Sequence, residues 1–137
     1  MGNTQLRGFD AEQHMDSALQ HLEDVLLPQN IRSVQFLLFL ILYSLRRQQV
    51  TNAWTYVDLA MRRCEEIGLH RRTNPNVQIS PLNIEMRKRV FWTVYTLDRH
   101  ICAVLGKTPG IADGAIDIEV SRHHFAACSS PFGLQSV

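Results

Sequence analysis

The chain has 137 residues, of which 45% are hydrophobic and 20% are charged, and its formal net charge is +1. This length and balance are typical of one globular domain and exclude a disordered chain. The near-neutral charge excludes an overall basic field that would attract nucleic acid or an anionic membrane surface.

The N-terminal part contains the first predicted helix, from Asp10 to Leu27. Apolar residues recur there at helical spacing, Asp10 is a suitable cap with Gln13 three residues later, and Pro28 ends the pattern. Residues 1–9 precede this helix and are expected to be disordered. They contain no signal-peptide pattern.

The second predicted helix runs from Ile31 to Gln48, and its centre at residues 36–43 is apolar on every side. A membrane-spanning helix needs about twenty apolar residues, so this segment is too short for that role. A short helix that is apolar all round is typical of the middle of a bundle. We therefore expect this helix to be central, with part of its apolar surface left uncovered by the other three.

The third predicted helix runs from Asn52 to Ile67, with Thr51 or Asn52 as its cap and Gly68 as its stop. Every proline and every glycine of the sequence lies outside the interiors of the four predicted helices. The fourth helix spans Pro81–Leu105, with Ser80 before it and Gly106 after it.

These patterns predict an all-α fold, an irregular bundle of about four helices with the second helix central. From residue 106 to residue 120 we expect a loop or short extended segment. The tail at residues 121–137 contains Ser, Pro and Gly and is expected to be disordered.

The fourth helix places a carboxylate, Asp98, on an apolar face. One stripe consists of Val90, Val94, Leu97, Ile101 and Val104, and a second consists of Phe91, Tyr95, Cys102 and Leu105, with Asp98 in its missing position. A carboxylate in apolar surroundings is costly unless it is paired. We expect an internal clamp to an arginine or to backbone N–H groups, and a ligand-binding or catalytic role is the alternative.

The sequence contains no arrangement typical of an enzyme, such as a Ser/His/Asp set, a Gly-rich phosphate loop or paired carboxylates. The residues that most resemble a set of metal ligands come from the fourth helix and the tail: His100, Cys102, His123, His124 and Cys128. We do not expect it to bind zinc, because most of its members lie in the tail. Together with Cys64, the scattered cysteines indicate a reducing compartment. No catalytic, metal or cofactor site is expected.

Residues 85–99 read Glu-Met-Arg-Lys-Arg-Val-Phe-Trp-Thr-Val-Tyr-Thr-Leu-Asp-Arg, and Leu-Gly-Lys-Thr-Pro follows at 105–109. This text resembles the hallmark segment of the fungal-specific transcription factor domain, although Lys-Thr-Pro stands where Gly-Arg-Pro is usual, with one extra residue before the proline. Residues 60–71 and 111–118 are similar to that family's flanking segments. The matching positions, expected to have structural roles, are Gly68, Leu69, His70, Arg71, Glu85, Arg87, Arg89, Phe91, Trp92, Asp98, Arg99, Gly106 and Pro109.

The resemblance implies a partial, apparently truncated regulatory domain over residues 10–120, with an unaligned tail. Such a domain modulates transcription in the nucleus through other transcription-factor domains or co-regulators. In this family, zinc and DNA are bound by a separate six-cysteine cluster, which this chain lacks. No zinc, DNA-binding residue or membrane contact is therefore expected here. The alternatives are a small-molecule sensor with a pocket between the second and fourth helices, and a non-catalytic interaction module from a truncated gene product.

Overall fold

The computed structural model describes residues 11–74 and 76–120. Within these ranges the chain is all-α, as predicted, and it contains no strand. Its helices are α1 (Ala11–Gln20), α2 (Leu22–Leu26), α3 (Ile31–Arg46), α4 (Val50–Glu66) and α5 (Pro81–Leu105), followed by a 3-10 turn at Asp113–Ala115. The expectations for residues 1–9, for the Asp10 cap and for the tail at 121–137 lie outside the described residues.

The longest helix, α5, begins and ends where the sequence predicted. The Ser80 side chain accepts a hydrogen bond from the Asn83 N–H at 3.3 Å, and Pro81 occupies the first helical position. Gly106 ends the helix in the left-handed conformation with φ 64°. Local signals are therefore sufficient to define both ends of α5.

The prediction of one continuous helix from Asp10 to Leu27 was wrong. The backbone of His21 has ψ 11°, and its N–H bonds the carbonyl of Ala18, three residues back, instead of a carbonyl four residues back. A residue in that conformation interrupts the helical ladder. Two shorter helices, α1 and α2, result.

The boundary between the second and third predicted helices also differs. The helix α3 stops at Arg46, because Gln48 adopts a left-handed φ of 58° and Gln49 N–H closes a turn onto Ser44 O at 2.8 Å. The helix α4 then starts at Val50, so Thr51 and Asn52 lie inside its first turn rather than capping it. At the other end of α3, the Asn30 side chain caps two backbone N–H groups, a signal that the sequence analysis missed.

The core lies among α3, α4 and α5. The connection between α3 and α4 is short, so they run antiparallel. Arg87 of α5 contacts the carbonyl of Ile67 at the end of α4, and Lys107 lies over the Trp54 ring near the start of α4. Thus α4 and α5 are also antiparallel, and α3 runs parallel to α5. The helix α4 packs against both neighbours.

The second predicted helix corresponds to α3, which packs against α2, α4 and α5 as expected for a central helix, although one side of it is exposed. The inner residues of α3, including Val34, Leu37 and Ile41, are fully buried. Phe39 and Leu42 point outward with 71% and 52% of their surface exposed. The apolar surface that we expected to remain uncovered is therefore present on the outer side of α3.

Val104, predicted to belong to the buried stripe of α5, is 75% exposed. Its neighbours in the stripe, Val90, Val94 and Ile101, are buried. The helix α5 has 25 residues and α3 has 16, and Gln35 contacts Met86 near their starts. The last turns of α5 therefore extend beyond the end of α3, where no residue of the described ranges covers Val104. None of the described helices is long and apolar enough to cross a membrane.

Candidate functional site

The segment after α5, residues 107–119, folds back along the helix and is called the strap here. Asp117 and Ile118 donate their backbone N–H groups to the carbonyl of His70, at 2.9 and 3.1 Å. The indole N–H of Trp92 donates to the carbonyl of Glu119 at 3.1 Å. The strap therefore connects the chain after α4 to the middle of α5.

Asp98 lies beneath the strap and is 2% exposed. Its carboxylate accepts the Gly110 backbone N–H at 3.2 and 3.4 Å, one distance to each oxygen. The Arg99 Nη1 group lies 2.9 Å from Oδ2, and the Cys102 thiol lies 3.5 Å from Oδ1. Both oxygen atoms therefore have partners within the chain, and a ligand at this carboxylate would have to displace one of them.

Arg99 joins this buried carboxylate to the outer part of the strap. Its Nη2 donates to the carbonyl of Ile111 at 2.7 Å and to Oδ1 of Asp113 at 2.6 Å. The guanidinium lies 4.4 Å from the centre of the Tyr95 ring, and the Tyr95 hydroxyl donates to the same Asp113 oxygen at 2.9 Å. The planar guanidinium of Arg99 thus contacts both α5 and the strap.

Asp113 is exposed, yet its hydrogen bonds change its acidity. The hydrogen bond from Arg99 lowers the pKa of its carboxyl below the ordinary 3.8, and the Tyr95 hydroxyl adds to the same effect. Donors of this kind favour the charged form of a carboxyl group. Asp113 is therefore ionised over the whole physiological range.

Gly110 is the point where the strap comes closest to α4. A Cβ built there would lie 3.1 Å from Cγ and 3.4 Å from Cβ of Met61, and 3.8 Å from Oδ1 of Asp98. The first distance is shorter than an ordinary carbon–carbon contact. A side chain at position 110 would therefore push against Met61 of α4.

The segment Gly68–Leu69–His70–Arg71 forms the turn that follows α4. Gly68 has φ 67°, and Leu69 N–H closes the helix end onto the carbonyl of Cys64 at 2.8 Å. Leu69 is buried, and His70 is buried with its Nε2 accepting the Arg71 Nε–H at 3.1 Å. The carbonyl of His70 is thereby positioned for the strap.

Each member of the basic run Arg87–Lys88–Arg89 at the start of α5 has a partner within the chain. Arg87 donates to the carbonyl of Ile67 at 3.2 Å, which satisfies a group at the end of α4. Lys88 pairs with Glu119 of the strap at 3.2 Å. Arg89 pairs with Glu85 at 3.1 Å, and the two residues have the i,i+4 spacing that places side chains together on a helix.

The aromatic pair of the motif, Phe91 and Trp92, contributes to packing. Phe91 is fully buried, and the Trp92 ring meets it edge-on with ring centres 5.4 Å apart. Gly106 ends α5, and Pro109 lies exposed in the strap before Gly110. The motif positions therefore fall into two groups, those around Asp98 and those around the end of α4.

Four residues of this site were not predicted from the sequence: Tyr95 as a polar group, Gly110, Asp113 and Met61. The expected arginine partner of Asp98 is the adjacent Arg99. The adjacency of Asp98 and Arg99 in the sequence was the available signal. Nothing in the sequence pattern marks Gly110 as the backbone partner.

Both described cysteines are buried. Burial raises the pKa of the Cys64 thiol to about 12, with a smaller contribution from the charge of Glu65. Burial also raises the pKa of Cys102, and Asp98 adds to that rise. Both shifts favour the protonated thiol over the reactive thiolate. In the described ranges no group of three or more potential ligand residues could bind a metal ion. His123, His124 and Cys128 lie outside those ranges.

One open cleft of about 270 Å³ lies among α1, α3 and α4, lined by residues that include Met15, Leu19 and Tyr43. Asp98 does not belong to its lining. A pocket was predicted from the sequence between the second and fourth predicted helices, which correspond to α3 and α5. The observed cleft lies on another side of α3, next to α1 and α4.

The residues described above lie within the part of the chain that is similar to known proteins. The sequence profile of the fungal specific transcription factor domain matches residues 4–122. Activator of stress genes 1 of Saccharomyces cerevisiae is 37% identical over 100 residues, which are 73% of this chain and 10% of that protein. Pyrimidine pathway regulatory protein 1 of the same yeast is 34% identical over 79 residues, which are 58% of this chain and 9% of that protein.

An ABC-transporter-regulating transcription factor of Aspergillus oryzae is 34% identical over 91 residues, 66% of this chain and 10% of that protein. The chain thus spans about a tenth of the length of these curated relatives, which are transcription regulators and not enzymes. No solved structure gave a significant match.

Proposed function

Because the chain belongs to the family of the fungal specific transcription factor domain, we propose that it is a non-catalytic regulatory domain that modulates transcription in a fungal nucleus. Its relatives are about ten times as long as the matched segment. We therefore assign binding of zinc and DNA, expected from the family, to a separate part of a complete factor. The partners of this domain would be other transcription-factor domains or co-regulators.

The observation that supports this proposal is that the polar side chains of the motif form hydrogen bonds with other segments of the same chain. Asp98 and Arg99 contact the strap, Arg87 contacts the end of α4, and Trp92 contacts the carbonyl of Glu119. These polar groups satisfy one another inside the chain, as expected for a scaffold rather than for a reaction centre. We infer that the motif is a structural clamp, so that the regulatory function depends on the folded shape and its outer surfaces.

The proposal is tested by tethering the chain beside a promoter. The full chain is fused to an unrelated bacterial DNA-binding domain in yeast, together with a reporter gene that carries the matching operator. We expect reporter output to rise or fall reproducibly relative to the DNA-binding domain alone. A Val94→Asp variant is the matched control, because a charge at this fully buried position prevents folding.

Both fusions are compared at equal protein amounts, measured by immunoblotting. Equal reporter output from the wild-type fusion, the Val94→Asp fusion and the DNA-binding domain alone would contradict the proposed regulatory role. Turnover of a metabolite by the purified chain would contradict the non-catalytic part of the proposal.

A further inference from the structure

The side of α3 that faces away from the core forms one continuous stripe. Residues spaced by three or four positions lie on the same side of a helix, and this spacing connects Arg32, Gln35, Phe39, Leu42 and Arg46. The stripe lies opposite the buried residues of α3. Phe39 and Leu42 at its centre are 71% and 52% exposed. Paired apolar side chains with this exposure are typical of an interaction surface.

The apolar surface continues from α3 onto α5. The Gln35 amide lies 3.7 Å from the sulfur of Met86, which joins the two helices at their N-terminal halves. Met86 is 40% exposed, and Leu82, one turn earlier on the same side of α5, is 74% exposed. The outer stripe of α3 together with Leu82 and Met86 is called the outer face below.

The charges at the ends of the outer face have one sign. Arg32 and Arg46 are both exposed, and within the described part of the chain neither has a carboxylate partner. They are fourteen residues apart, which is about 21 Å along a helix. The stripe between them contains no acidic residue. The nearby Arg89 differs, because Glu85 already neutralises it.

We propose that the outer face binds an amphipathic partner helix that has acidic residues at its two ends and apolar residues between them. A helix laid along the two parallel helices α3 and α5 would cover Phe39, Leu42 and Met86 with its apolar side. A partner of about four turns would bring its terminal carboxylates to Arg32 and Arg46. This inference deepens the proposed regulatory function by giving it a binding surface.

A second copy of the chain fits the outer face less well. In a two-fold symmetric contact between two copies of α3, the stripes would face each other in opposite directions. Arg32 of one copy would then approach Arg46 of the other at both ends of the contact. Such like-charge contacts oppose association, whereas an acidic helix gains favourable ones.

The test measures binding of two labelled synthetic peptides to the full chain by fluorescence anisotropy. Both are helical peptides of about sixteen residues with leucines at positions i, i+3, i+4 and i+7. One carries glutamates at both ends, and the other carries lysines there. We expect the glutamate peptide to bind and the lysine peptide to bind at least about tenfold more weakly.

Three variants locate the binding site. Phe39→Ala should weaken binding of the glutamate peptide about tenfold, as truncation of a central aromatic contact does. The double variant Arg32→Glu with Arg46→Glu should reverse the preference and bind the lysine peptide. Val104→Ala removes an equally exposed apolar side chain outside the outer face and should change nothing. Circular dichroism and thermal melting confirm that each variant is folded, since all four positions are exposed.

Equal binding of both peptides, no binding of the glutamate peptide, or an unchanged affinity of Phe39→Ala would each overturn the inference. Dissociation of a dimer by Phe39→Ala, measured by analytical ultracentrifugation, would replace the partner helix by a second copy. The reporter experiment does not depend on this surface being occupied by an acidic helix. An active reporter without peptide binding would therefore reject this inference and leave the proposed function intact.

Discussion

At the scale of residues, the hydrogen-bond partners of Asp98 explain why a carboxylate can be buried among apolar side chains without unfolding the chain. Moving an ionised carboxyl out of water costs several kcal/mol unless partners compensate for it. Asp98 is 2% exposed, and it accepts the Gly110 N–H while lying 2.9 Å from Arg99. Arg99 itself is 23% exposed, so the charge pair reaches solvent at one side. Removing the carboxylate would leave the Gly110 N–H without its acceptor.

We predict that Asp98→Ala lowers the free energy of unfolding by about 1–3 kcal/mol, because it removes the acceptor of a partly buried N–H and one partner of Arg99. Asp98→Asn should cost less, since its amide oxygen can still accept from Gly110. Urea denaturation measures both. Asp117→Ala is the control, because it removes an exposed carboxyl of the same strap and should change stability by less than about 0.5 kcal/mol. Equal stability of Asp98→Ala and wild type would exclude the clamp.

The lowered pKa of Asp113 predicts a specific loss of stability in acid. The hydrogen bonds from Arg99 and Tyr95 exist only in the folded chain, so the carboxyl is more acidic there than in the unfolded chain. Such a group stabilises the fold fully above its unfolded pKa near 3.9, and that contribution disappears as the pH falls through the lower folded pKa.

Thermal melting should therefore show a steeper fall in Tm below about pH 4 for the wild type than for Asp113→Asn, which cannot titrate. The difference between the two curves is the informative quantity, because other carboxyl groups titrate in the same range in both proteins. Parallel curves from neutral pH to about pH 2 would show that Arg99 and Tyr95 do not stabilise the charged form.

At this scale the sequence could identify the unusual residue but not its full environment. Asp98 interrupts a regular apolar stripe, so helical periodicity alone is enough to mark it. The partner at Gly110 depends on the path of the strap, which has no periodic pattern, and on the close approach of Met61 from α4. Contacts between distant segments without periodicity cannot be read from local sequence signals.

At the scale of elements, the quality of the boundary signals decides how well each helix could be predicted. The helix α5 has Ser80 before it, Pro81 at its first position and Gly106 after it, and its predicted bounds agree with the structure. The end of α3 has no glycine, and Gln48 adopts the left-handed conformation instead. Sequence rules assign that conformation to glycine or asparagine, so a glutamine there escaped prediction.

The helix ends supply a direct test of these backbone conformations. We predict that Gly106→Ala destabilises the chain by about 1 kcal/mol, because φ at this position is 64° and a Cβ disfavours that region. The same change at Gly114 is the matched control, since that glycine does not have a left-handed φ and nothing lies within 4 Å of a Cβ built there. Equal effects at the two positions, measured by urea denaturation, would show that steric strain at the helix end is unimportant.

At the scale of the whole molecule, α4 and the strap together determine how α5 is placed. The helix α4 packs on both α3 and α5, and its end is joined to α5 by Arg87 and to the strap by the carbonyl of His70. The strap in turn contacts Asp98 and Trp92 on α5. The family motif is thus spread over three segments that contact one another at two places, around Asp98 and around the end of α4. Its positions could be recognised from the sequence by resemblance, whereas these contacts could not.

The contact of Gly110 with Met61 tests whether these segments are energetically coupled. Gly110→Ala should cost about 1–3 kcal/mol, because its Cβ would lie 3.1 Å from Met61 Cγ, and Met61→Ala should cost about 2–5 kcal/mol through the cavity it leaves. The double variant should cost less than the sum by about 0.5–3 kcal/mol, since shortening Met61 makes room for the new methyl group. Chemical denaturation of the four proteins in the cycle measures this difference. Additive costs would mean that the strap and α4 meet without mutual constraint, and the clamp would then act on α5 alone.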